Sequence, residues 1–125
     1  MAIRASSSPQ IVPVPMSDEE AVDPEEAFIA AIASCHMLFF LSLASAAHLA
    51  VTSYCDNATG VLKRSGRSMA FETIQLSPKI TVPRASTISR DLLETLHHRA
   101  HDQCFLANSV SFPIQCQPDF SFDAE

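Results

Sequence analysis

Residues 23–51 read DPEEAFIAAIASCHMLFFLSLASAAHLAV, and the reading of this stretch decides the fold. Asp23 is placed to cap a helix, Pro24 suits its first position, and Glu26 stands three residues after the cap, as in a capping box. Carboxylates at this end also favour the positive pole of the helix dipole. Residues 27–51 are apolar on nearly every face, so the predicted helix belongs at the centre of the molecule. The run also meets the ~20-residue criterion for crossing a bilayer. However, His36, His48, Ser34, Ser42 and Ser45 interrupt it, and its many alanines suit tight packing against a sheet. A buried core helix is the expectation, with no membrane partner.

Composition sets the outer bounds. A chain of 125 residues with 47% hydrophobic content makes one domain, residues 1–125, with ample material for a core. A net charge of −6, with scattered basic residues, argues against a nucleic-acid partner. The four cysteines, at 35, 55, 104 and 116, include no CxxC pair, which argues against a structural zinc site. The start Met1-Ala2-Ile3-Arg4-Ala5-Ser6 has no apolar export segment, so the expectation is a cytoplasmic protein with reduced thiols.

Working outward from the helix, residues 1–22 are rich in Ser and Pro, then acidic. They read as a solvated arm with at most a short edge strand over 11–14. After the helix come strand signals over 51–56 and 61–63, with turns at 57–60 and 65–67. A strand over 69–76 follows, extended past Pro78 to 80–82, and together these predict a small antiparallel meander. A second helix starts at Ser86 or Ser89 and runs to Gln103. Leu92, Leu93, Leu96, Ala100 and Cys104 form its apolar face. Residues 110–117 make a last strand, and 118–125 a flexible tail. The order α, β-meander, α, β indicates an α+β class with antiparallel sheet.

Two thiols on two apolar helices read as redox chemistry rather than as a structural bridge. Asp23-Pro24-Glu25-Glu26, followed by the small-residue stretch that ends at Cys35, resembles the first active-site motif of the OsmC/Ohr family. Cys35 falls ten places after Glu25, as that motif requires. Ala100-His101-Asp102-Gln103-Cys104, then Phe105-Leu106-Ala107-Asn108-Ser109, is similar to the second motif. The resemblance covers residues 9–117. It implies an antiparallel sheet wrapped around two long central helices in an intertwined homodimer. It also implies a peroxiredoxin-like thiol peroxidase for organic hydroperoxides, with Cys35 peroxidatic, Cys104 resolving and Glu25 supporting the site. An external dithiol, such as a protein-bound lipoyl group, would be the reductant, and no metal or other cofactor is implied. Typical members also carry an arginine on an N-terminal strand. That strand would lie upstream of residue 1, and Arg84, Arg90 and Arg99 match no motif.

The chemistry asks for these residue types. Only a thiolate attacks the O–O bond, and a neighbouring thiol condenses the resulting sulfenic acid to a disulfide. Leu38, Phe39, Phe40 and Phe105 offer an apolar lining, or plain core. Ten helical residues span ~15 Å, so Glu25 cannot touch Cys35 along one straight helix. It would have to reach a partner subunit's site, or else serve only the helix dipole. Cys55 and Cys116 read as small hydrophobes on strands. His97, His101 and Cys104 share a helix face, a weak metal signal. A non-catalytic dimer that binds a small hydrophobic ligand or senses oxidants is the alternative function.

Overall fold

A computed structural model describes residues 1–123. Its elements are α1 (Pro24–Ala46), β1 (Ser53–Asp56), β2 (Thr59–Ser65), β3 (Ser68–Leu76), β4 (Pro78–Val82), α2 (Arg90–Gln103), a 3₁₀ turn (Ala107–Ser109), β5 (Ile114–Cys116) and β6 (Asp119–Phe122). The α+β class expected from the element order is observed.

Helix α1 starts as the sequence dictates. The Asp23 carboxylate accepts from the Glu26 main-chain N–H at 2.7 Å, and the Glu26 carboxylate accepts from the Asp23 N–H at 3.2 Å. These bonds satisfy two N–H groups that a helix start leaves open. Replacing Asp23 by Ala should lower stability by about 1 kcal/mol, whereas Asn should retain most of it. Urea unfolding midpoints would check this, and an unchanged D23A midpoint would refute the role of the cap.

The helix ends five residues earlier than expected. His48 takes a left-handed φ of 59°. Its N–H donates to Ser45 O at 3.0 Å, and the Leu49 N–H donates to Ala44 O at 2.8 Å. This is the two-bond Schellman stop, with histidine in the place usually held by glycine. The chain then turns into β1 rather than continuing the apolar helix to Val51.

The strands correct the expected meander. Residue pairs run from Ser53↔Thr81 to Asp56↔Pro78, then from Thr59↔Gln75 to Ser65↔Ser68. Residues 57–60 therefore do not reverse the chain. They carry it from β1 to β2, and 53–82 forms one bent antiparallel hairpin that turns at Gly66, where φ is +61°. The hairpin passes between two three-stranded sheets, β1-β4-β6 and β2-β3-β5. At the crossing, the Ser77 N–H donates to Asp56 Oδ1 at 2.7 Å. The continuation past Pro78 holds, with Pro78 opening β4, where a missing N–H is tolerated.

The expected wholly antiparallel sheet is also corrected: β5 pairs with β3, and β6 with β4, in parallel. Residues 119–122, expected in a flexible tail, form β6 because the apolar Phe120 lies against the core and the ladder to β4 pairs its backbone. In the N-terminal arm the proposed 11–14 strand is instead a set of turns, with Ile11 and Val12 N–H both donating to Ser8 O. A single parallel bridge, Ala5↔Val22, ties the arm back, and Arg4 pairs with Asp18.

Two apolar clusters flank α1. Ile32 packs with Ile74, Leu76 and Ile114. Phe40 and Ala44 pack with Ile80, Val82, Leu93, Leu96 and Ala100. The buried residues of α1, namely Ile32, His36, Phe40 and Ala44, recur every four positions as one face, so the rest of this apolar helix stays partly or fully open in a single chain.

Candidate active site

Helix α2 delivers the second thiol. Ser89 caps it by accepting from Leu92 N–H, and Leu93, Leu96, His97 and Ala100 are its buried residues. One turn beyond Ala100, Cys104 leaves helical geometry and is almost wholly buried, with 1% exposure. Its N–H still closes the helix onto Ala100 O and His101 O. The following turn is pinned by side chains: Asn108 Nδ2 donates to Asp102 O at 2.9 Å, and Ser109 Oγ donates to Phe105 O at 2.7 Å. The Asn-Ser of the second motif thus shapes the loop that faces the thiols.

Cys35, half-buried at mid-α1, lies beside Cys104, near enough that each thiol shifts the acidity of the other. Their acidities are split. Burial pushes the Cys35 thiol up, but hydrogen bonds from the Cys104 thiol and from the Leu106 and Phe105 main-chain N–H groups outweigh burial and hold it below its usual value. Burial and the same Cys35 contact raise Cys104, against smaller opposing contributions from the Ala107 and Leu106 N–H groups. Consecutive N–H groups in a turn form an anion-binding concavity. The arrangement therefore favours the thiolate at Cys35 over the thiolate at Cys104.

Glu25 is not part of this contact. It sits in the first turn of α1, beside a cavity shared with Ser8, Gln10 and Asp23, and its buried Oε2 has no hydrogen-bond partner among the described residues. Of the residues considered as apolar lining, Phe40 is core, fully buried and stacked on His97 at 3.9 Å between centroids. Phe39 and Phe105 meet edge-on at 5.2 Å, while Leu38 and Phe105 are 63% and 72% exposed. Cys55 lies on β1 but is exposed, so it does not pack as the small hydrophobe expected.

Sequence reasoning missed a buried imidazole pair. His36 Nε2 and His97 Nδ1 lie 2.8 Å apart, joining α1 to α2, and Cys116 Sγ is 3.8 Å from the same His36 nitrogen. His97 thus faces His36 and Cys116, not the His101 and Cys104 grouping expected from its helix face. Burial lowers His36 to about 4, helped by His101, and lowers His97 to about 3, helped by His36. Both rings are neutral at pH 7, one donating to the other. Cys116 is pushed up to about 12 by burial and by Asp56.

Comparison with known proteins follows the same lines. The family described as OsmC-like protein matches residues 17–119. An OsmC-like protein of unknown function from Vibrio cholerae is 44% identical, the match covering 93% of this chain and 76% of that one, with a TM-score of 0.87. An organic hydroperoxide resistance protein, OsmC, from Legionella pneumophila shares the fold at 15% identity, covering 97% of this chain and 82% of that one, with a TM-score of 0.71. An organic hydroperoxide resistance protein from Elizabethkingia anophelis does so at 15% identity, with coverages of 93% and 78% and a TM-score of 0.68. No curated protein matches the chain.

Proposed function

The chain belongs to the OsmC-like protein family, and from that membership we propose that it is a thiol-dependent peroxidase that reduces organic hydroperoxides. The observation that carries this reading is the contact of Cys35 with Cys104 and their opposite shifts in acidity. The family's organic hydroperoxide resistance members support the substrate class.

The reaction balances on these two residues. The Cys35 thiolate attacks the terminal oxygen of ROOH and the O–O bond breaks. The alkoxide takes up a proton and leaves as ROH, and Cys35 becomes a sulfenic acid. The Cys104 sulfur then displaces hydroxide from Cys35, and the Cys104 proton leaves with it as water. An external dithiol reduces the disulfide by exchange and is itself oxidised. The exposed Leu38 and Phe105 side chains supply apolar surface that favours an alkyl over a bare hydrogen peroxide.

The site is completed by a second copy. Helix α1 is long and apolar enough to cross a membrane, yet only 22% of that window is buried within one chain. We read its open face as the core of a homodimer in the cytoplasm rather than as a span. The sheltered Glu25 Oε2, without a hydrogen-bond partner among the described residues, fits a protein interface. Each copy is one domain over residues 1–125.

The test combines turnover and trapping. With a dithiol such as dihydrolipoamide, the wild-type chain should consume cumene hydroperoxide and form the Cys35–Cys104 disulfide in a single turnover. Cys104→Ser should still form the Cys35 sulfenic acid, captured by a sulfenic-acid trap, but lose at least about tenfold in steady-state turnover. A C104S chain that cycles at the full rate would exclude the resolving role. A wild-type chain that is oxidised without turning over would favour an oxidant sensor.

A further inference from the structure

The contact between α1 and α2 contains donor atoms that the peroxide chemistry does not use. His36 Nε2, His97 Nδ1 and Cys116 Sγ come from α1, α2 and β5 and all lie within 4.8 Å of one another. From this convergence we propose that His36, His97 and Cys116 bind one zinc-class cation, at a site that shares no ligand with the Cys35–Cys104 pair.

The donor set selects the ion. Two imidazole nitrogens and one thiolate suit zinc and its neighbours, whereas magnesium and calcium want oxygen ligands. The spacing also fits. Zinc–nitrogen bonds of ~2.0–2.1 Å and a zinc–sulfur bond of ~2.3 Å give a tetrahedral N–S edge of about 3.6 Å and an N–N edge of about 3.3 Å. The His36–Cys116 separation of 3.8 Å is already close. The His36–His97 separation of 2.8 Å has to open by about half an ångström, a small rotation of two side chains.

The metal-free pair is poorly satisfied. It uses one nitrogen of each ring, while His36 Nδ1 and His97 Nε2 are buried with no partner among the described residues. Apolar neighbours make such a cluster costly as a purely structural feature. His97 stacks on Phe40, a contact that holds its ring plane while leaving His36 to take up most of the movement. Three protein ligands leave a fourth position. A cavity of about 880 Å³ lined by His97, His101 and Cys116 opens beside them. A solvent molecule or another small ligand can take that position from the cavity. Binding breaks the Cys116 S–H bond and releases that proton to solvent, with no change in oxidation state.

Cobalt(II) serves as the optical probe for zinc. Chelator-treated, reduced wild-type protein should take up one cobalt per chain, with sulfur-to-cobalt charge-transfer absorption that added zinc abolishes. A Cys35→Ser/Cys104→Ser double variant should keep that absorption, and Cys116→Ser should lose it. Absorption that survives in C116S or disappears in C35S/C104S, or no absorption in wild type, overturns the site. Should C116S fail to fold by circular dichroism, X-ray absorption of zinc-loaded wild type decides. One sulfur with nitrogen neighbours supports the assignment, and two sulfurs or none refutes it.

Discussion

Replacing Cys35 by Ser should lower organic hydroperoxide consumption at least ~1000-fold, essentially to the uncatalysed rate. A hydroxyl at this position keeps the size of the side chain, but stays protonated at neutral pH and does not attack the O–O bond. The hydrogen bonds that favour a thiolate here have no such anion to hold in the serine form. The corresponding change at Cys55, exposed on β1, should leave the rate within about twofold. Because the Cys35 thiol is held below its ordinary value, the wild-type rate should reach its plateau below the ~8.5 expected of a free thiol. Initial rates of the wild type, C35S and C55S across pH check all three points. A C35S chain that retains a tenth of the activity would sink the mechanism.

The second large effect is on stability in acid. His36 and His97 are buried neutral, with folded values of about 4 and about 3 against 6.5 for an ordinary histidine. A depressed value means that the unfolded chain binds the proton more tightly. The stability tied to the neutral rings is therefore complete above pH 6.5 and is lost as pH falls from 6.5 towards 4. At 1.36 kcal/mol per tenfold change in proton affinity, His36 alone accounts for about 3 kcal/mol by pH 4.

His101 on α2 and Cys116 on β5 act on the pair, and Asp56 and Tyr54 on β1 interact in turn with Cys116. Burial raises Asp56, partly offset by the Ser77 N–H, so its contribution has the opposite sign and offsets part of the loss. Urea unfolding of chelator-treated protein should show stability falling steeply between pH 6.5 and 4.5, and a His36→Leu/His97→Leu variant should flatten that fall. Constant stability of the native chain over this range would show that the imidazoles are not buried neutral.

Much of the architecture was readable from local signals. The capping box at Asp23 and Glu26, the Ser89 cap and the apolar face ending at Cys104 located both helices, because caps and periodicity act within a few residues. The end of α1 was not readable, since the Schellman stop puts histidine where glycine is the usual signal. The strand pairings failed for a different reason. Alternation in 51–82 marks strands but not their partners, and residues 57–60 look like a turn while running straight on. Nothing local in Ile114–Cys116 or Asp119–Phe122 announces a parallel ladder.

At the site, the two motifs identified Cys35 and Cys104 as a pair, and their contact follows from α1 lying against α2. The main-chain donors at Phe105 and Leu106 escaped notice because any residue but proline supplies an N–H. His36 and His97 escaped because 61 positions separate them and each alone looks like an ordinary core histidine.

The turn after α2 has a practical consequence. Peptide amides are permanent fixtures: they do not titrate, do not swing away as a long cationic side chain does, and attract no cloud of counterions. To the extent that such amides favour the Cys35 anion, its acidity should be nearly the same in dilute buffer and in brine, since a short-range dipole is not screened as a surface charge is. A cell whose internal osmolyte and ion levels swing widely would find such a thiol equally ready at either extreme.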